Sequence, residues 1–203
     1  MDILGKIFGS INRVKLFRLF FANPNGLFTR EQISSKSKIS EDNVLKELTL
    51  LTKAKFLKKK KFKGEKETKK LGKKKKAILV GWELNPGFKY LSELKVFLMG
   101  GEVLDSEYLI KKFKGAGKIR LIITAGVFMN DEKSRADLLV VGDNINKKSV
   151  SNVIKAIESE IGRELNYGVF ETEDFKYRLT VYDKFVRDVI DFPHNKIFDK
   201  LDE

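Results

Sequence analysis

The chain has no cysteine and a single histidine, His194. Structural zinc sites draw four ligands from Cys and His, so that class of site is excluded by count. Disulfides are excluded in the same way, which suits a reducing compartment. Nowhere do about 18 apolar residues run together, the length a helix needs to cross a bilayer, so neither a membrane span nor a membrane partner is expected. The N-terminus is helical in its periodicity from Ile3 onward and lacks the charged segment, short apolar block and cleavage site of a secretion signal. The expected location is the cytoplasm.

What the chain has in excess is lysine, and its distribution says more than its total. Of the formal charge of +13, residues 53–76 carry +12, from fourteen Lys against two Glu. Residues 1–52 hold eight basic and five acidic side chains, and residues 77–203 hold nineteen and twenty-one. A lysine run is often a solvated tail, but this one is internal and flanked by apolar segments. Concentrated positive charge favours polyanions, because each neutralised phosphate releases condensed counterions.

With 203 residues, one large domain or two small ones are open. Ile3, Leu4, Ile7, Phe8, Ile11, Val14, Phe17 and Phe21 recur at three- and four-residue spacing and predict one amphipathic helix over 3–22. Asn23-Pro24-Asn25-Gly26 ends it. Thr29-Arg30-Glu31-Gln32 reads as a capping box opening a second helix, and Ser40 as the cap of a third, with Val44, Leu45, Leu48 and Leu51 on its apolar face. Strands are expected over Phe56–Lys63 and Ala77–Leu84 around a loop with Gly64 and Gly72, followed by a helix carrying Tyr90, Leu91, Leu94, Phe97 and Leu98. Helix-turn-helix, hairpin and closing helix are the winged-helix arrangement, here placed over 1–98. Trp82 and the many Phe between residues 8 and 28 read as core.

After Gly100-Gly101, a connecting helix over Leu104–Phe113 makes 99–116 a linker. Strands over Ile119–Thr124, Ala136–Val141 and Leu165–Phe170 alternate with helices over Val150–Ile161 and Phe175–Ile190, the latter with a break near Tyr182-Asp183. This is a small α/β domain over 117–203, and the whole chain reads as a two-domain α+β / α/β protein.

In a winged helix the third helix enters the major groove. Its side chains away from the apolar stripe would be Ser40, Asn43, Lys46, Glu47, Thr49 and Lys53, with Asn43 suited to adenine and Lys46 to guanine. Glu41 and Asp42 would repel phosphates, which implies shallow insertion or contacts displaced toward Lys46 and Lys53. The wing lysines, Lys58, Lys59, Lys60, Lys61, Lys63, Lys66, Lys69, Lys70, Lys73, Lys74, Lys75 and Lys76, would contact phosphates or the minor groove and add affinity with little sequence information. The expected partner is double-stranded DNA, and paired half-sites imply a homodimer.

The segments IFGSINRVKLFRLFFANP (7–24) and GWELNPGFKYL (81–91) resemble a prokaryotic winged-helix transcriptional regulator family. Some of its members fuse the winged helix to a nucleotidyltransferase-like domain. TAGVFMNDEKSRADLLVVGD (124–143) and ELNYGVF (164–170) are similar to that second domain, and the likeness spans most of 3–200. Active members carry Gly-Ser after the first strand, Asp-x-Asp on the second and an acid on the third, which together hold two magnesium ions. Here Ala125-Gly126-Val127 has no Gly-Ser, Arg135 stands for the first acid, Asp137 keeps the second, and Asn166 occupies the third position. The resemblance thus implies a degenerate domain with no transferase activity, no catalytic residues, no metal and no cofactor. Gly126, Arg135, Asp137 and Asn166 would line a remnant pocket for a nucleotide effector, or else sit on a scaffold kept for dimerisation. Two alternatives remain open: residual nucleotide transfer to protein or RNA, with Asp137 as metal ligand helped by Asp143 or Glu171, and RNA binding by the basic wing. His194 has no obvious catalytic partner, and Gly9-Ser10, placed inside the first helix, is not a displaced catalytic motif.

Overall fold

Residues 3–67, 74–99, 104–129, 131 and 134–201 are described in a computed structural model of the chain, the side chains of 66, 67, 74 and 75 excepted. Two compact units emerge: Met1–Leu98 with Ser159–Arg163, and Met99–Glu158 with Glu164–Glu203. Residues 99–116, expected as a connector, group with the second unit, and 159–163 group with the first.

In the first unit the single helix expected over 3–22 is two, α1 (Ile3–Ile7) and α2 (Ile11–Ala22). Gly9, at φ +70°, takes a left-handed conformation that a side chain would strain. Ser10 then caps α2, its Oγ accepting the Arg13 N–H at 3.2 Å. Gly9-Ser10 therefore lies between helices. Apolar spacing runs straight through the break and conceals it.

Helix α3 (Arg30–Ser37) opens on the expected capping box: Thr29 Oγ1 accepts from Gln32 N–H, and Gln32 Oε1 accepts from Thr29 N–H. Helix α4 (Glu41–Lys53) starts after Ser40, whose hydroxyl makes no capping bond; that expectation fails. Strands β1 (Leu57–Glu67) and β2 (Lys74–Leu84) pair antiparallel and run longer than the sequence pattern indicates. Gly64, expected in the loop, is paired with Ala77 inside the ladder. Phe28 exchanges backbone hydrogen bonds with Trp82 at 2.9 and 3.0 Å. Helix α5 (Leu91–Met99) follows. The core is aromatic: the Phe56 ring lies edge-on to Phe17, Phe21 and Phe88, with centroids 4.7, 5.4 and 5.5 Å away. Trp82 is buried, as expected.

The second unit runs α6 (Ser106–Phe113), β3 (Lys118–Ala125), a 3-10 turn over Gly126–Met129, β4 (Leu138–Asp143), α7 (Lys147–Ile161, its last three residues grouping with the first unit), β5 (Tyr167–Glu171), α8 (Thr172–Thr180), α9 (Lys184–Ile190) and β6 (His194–Asp199). The sheet order is β5-β4-β3-β6, with β4–β5 parallel and the other two pairings antiparallel. Strand β6 is absent from the sequence reading. The expected break before α9 is present: Tyr182 has φ +56°, and Asp183 caps α9 by accepting the Val186 N–H at 3.1 Å. Leu121, Ile123, Leu139 and Val141 bury against Phe175, Val186 and Val189. The alternate residues Ile122, Leu138 and Val140 are equally buried, so the sheet is covered on both faces. The chain is thus a mixed α/β protein with two small sheets. No helix among the described residues is long and apolar enough to cross a membrane.

Candidate nucleic-acid interface

Helix α4 buries Val44, Glu47, Leu48 and Leu51 on one side. With about 100° per residue, the opposite side is centred on Asp42, Lys46, Thr49 and Lys53. Ser40, Asn43, Lys46, Thr49 and Lys53 are exposed, where the sequence placed them. Two placements differ. Glu47 faces inward: its carboxylate accepts from Ser10 Oγ at 2.6 Å and from Arg13 Nε at 2.9 Å, locking the start of α2 onto α4. Leu45, assigned to the apolar stripe, is 44% exposed, and Leu50 is 42% exposed. Glu41 is held by Arg30 at 2.8 Å, which offsets the repulsion it would exert on a phosphate.

Helix α4 leads through Ala54–Phe56 into the hairpin. In an antiparallel pair, directly opposed residues share a face. Lys59, Lys61, Lys63 and Glu65 therefore share one face with their partners Trp82, Val80, Ile78 and Lys76. Lys58 and Lys60 lie on the other face with Glu83 and Gly81. Lys58, Lys59, Lys60, Lys61, Lys63 and Lys76 are all exposed. Two of these charges have neighbours: Lys60 Nζ is 2.7 Å from Glu83, and Lys59 Nζ lies 5.6 Å from the Trp82 ring centroid. Lys61 and Lys63 face Val80 and Ile78, with no acid directly across the ladder. Lys66, Lys74 and Lys75 hold ladder positions, and Lys69, Lys70 and Lys73 lie outside the described residues.

In the second unit Asp137 is 2% exposed. Its Oδ1 accepts the Val127 N–H and its Oδ2 the Asn166 N–H, both at 2.9 Å. Gly126, at φ +50°, passes so close that an added Cβ would collide with Asp137 Oδ1. Asn166 Nδ2 donates to the Arg135 carbonyl, while the Arg135 side chain is 69% exposed and 4.0 Å from Asp188. The four residues are thus neighbours, but the contacts that join them are a backbone clamp around one carboxylate. A cleft of about 300 Å³ in this unit is lined instead by Ile145, Lys147, Val150, Tyr167, Phe170 and Glu171, among others.

The other two acids are committed elsewhere. Asp143 follows Asp137 by six residues along β4, about 20 Å at the rise of a strand. It accepts from Thr172 Oγ1 at 2.5 Å and from Arg120 Nε at 2.9 Å, and these bonds, the threonine's first, hold its pKa below the usual carboxylate value. Glu171 accepts the N–H groups of Asn144 and Ile145, both at 3.0 Å. Among the described residues no three of His, Cys, Asp and Glu gather as a metal site. His194 opens β6, its Nδ1–H donating to the Phe192 carbonyl at 2.9 Å.

Compared with known proteins, the chain matches no family model, no curated protein and no solved structure.

Proposed function

We propose that this chain is a cytoplasmic DNA-binding transcriptional regulator whose first unit is a winged helix. Helix α4 enters the major groove, and the β1–β2 hairpin is the wing that lays its lysines along the phosphates. The observation that carries this reading is the pairing of Lys61 and Lys63 on one hairpin face with no acid opposite them, on the strand that follows a helix exposing Asn43, Lys46 and Lys53. Lysine, with no rigid fork, suits charge neutralisation better than bidentate recognition of bases.

The second unit is read as a nucleotidyltransferase-like fold without transfer chemistry, serving dimerisation or effector sensing. Supporting this, both oxygens of Asp137 are occupied by backbone N–H groups, and Asp143 stands about 20 Å along the strand, too far to share a metal with it. Two half-sites on duplex DNA would call for a homodimer.

Fluorescence anisotropy with a mixed-sequence duplex, a single strand and a structured RNA at about 0.15 M salt tests the assignment. Tightest binding to the duplex is expected. Preference for RNA would replace the partner, and absence of binding to all three would end the nucleic-acid reading.

A further inference from the structure

The outward side of α4 is more apolar than a lysine-flanked helix needs for phosphate contact alone. Asp42, Lys46 and Lys53 run along its middle, with Leu45 and Thr49 on one border and Leu50 on the other; Asp42 lies in the first turn, ahead of both leucines. The Thr49 hydroxyl donates its proton to the Leu45 carbonyl at 2.8 Å, back along the helix, so what it offers outward is an acceptor oxygen and a methyl group. Between the two leucines there is no guanidinium and no carboxamide; Asn43 stands on the same rim as Leu50, two turns before it.

Single exposed leucines are ordinary. Three apolar groups within two turns, interleaved with lysines and joined in sequence to a positive hairpin, select a polyanion that also has apolar features. In the major groove of duplex DNA the apolar feature on a base edge is the C5-methyl of thymine. We propose that α4 reads thymine methyl groups through Leu45 and Leu50, with the Thr49 methyl packed beside Leu45. This rests on the placement of α4 in the major groove, and it assigns sequence specificity to leucines that the spacing of residues had put in the core or passed over. Lys46 and Lys53 then hold the flanking phosphates.

The test uses a duplex selected by the full-length protein from a random pool, resynthesised with deoxyuridine in place of thymine one position at a time. That exchange removes one methyl group and leaves the base pair intact. For the parent protein, each contacted position should lose about fourfold in affinity, the worth of one buried methyl. Leu45→Ala and Leu50→Ala replace exposed side chains with a good helix former and should fold normally. Each should bind the thymine duplex more weakly and become indifferent to deoxyuridine at its own position. A selected site without thymine, no position sensitive to deoxyuridine, or unchanged sensitivity in both variants overturns the proposal while leaving DNA binding intact. Failure to enrich any duplex overturns both this proposal and the function it rests on.

Discussion

The wing reading is tested most sharply by the salt dependence of two lysines. Lys61 and Lys63 share a hairpin face, are exposed, and stand opposite Val80 and Ile78 rather than an acid. Each phosphate contact adds about 0.9 to the slope of log affinity against log salt. Lys61→Gln with Lys63→Gln should therefore flatten the slope by about 1.8. Between about 50 and about 200 mM salt, that difference amounts to roughly a tenfold change in the ratio of parent to variant affinity. The variant should look severely impaired at low salt and much less so at high salt.

Lys60→Gln is the internal control, because Lys60 already sits 2.7 Å from Glu83 and that pair carries no net charge. It should change the slope by clearly less than about 0.9. Anisotropy titrations at four or five salt concentrations measure all three proteins on one duplex. Parallel lines for parent and double variant would refute the reasoning, since a loss of affinity independent of salt means that the lysines act through something other than phosphate.

Three further outcomes follow from the packing. Glu47→Ala removes the acceptor of both Ser10 and Arg13 and should cost about 2–3 kcal/mol in urea unfolding, whereas Glu41→Ala, which breaks the more exposed pair with Arg30, should cost under about 1 kcal/mol. Asp137→Asn leaves one of two backbone N–H groups facing an amide NH₂ and should cost about 2 kcal/mol, seen by calorimetry, with duplex affinity unchanged; unaltered stability would refute the clamp. Asp143, bonded by Thr172 and Arg120, and Asp183, bonded by the Val186 N–H and then Arg178, both have folded pKa values below the usual carboxylate range. Their contribution is complete above the unfolded carboxyl's pKa and fades as the pH falls from there through the lower folded values. Thermal midpoints should accordingly drop on acidification, and Asp143→Asn should make that acid limb shallower.

What the sequence disclosed is local in origin. The Thr29 capping box, the punctuation before α9 and the run of lysines depend on residues within a few positions of one another, so spacing alone exposes them. The break at Gly9 and the missing cap at Ser40 are local departures, but the placements that matter for the site depend on partners far away in the chain. Glu47 looked like a surface residue because its partners are Ser10 and Arg13. Asp137 reads from the sequence as part of a remnant pocket, and the backbone N–H groups that bind it, those of Val127 and Asn166, carry no mark of that role there. Strand β6 has the polar residues of a sheet edge, and nothing in HNKIFD announces that β3 will pair with it.

The same reasoning explains why Leu45 was misplaced, and why the correction bears on function. Leu45 stands next to Val44 and three before Leu48, so by spacing it widens an apolar stripe. A charged residue at 47 should have marked the limit of that stripe. Once Arg13 draws Glu47 inward, the buried arc of α4 is centred between Val44 and Leu51, and Leu45 is turned about 100° away from Val44. The ion pair between α2 and α4, together with the burial of Val44, Leu48 and Leu51, thus fixes which residues α4 shows to a ligand. Loss of the Glu47–Arg13 contact would therefore reach past stability: by releasing the rotation of α4, it should blur the discrimination between duplexes before it abolishes the lysine-driven binding common to all of them.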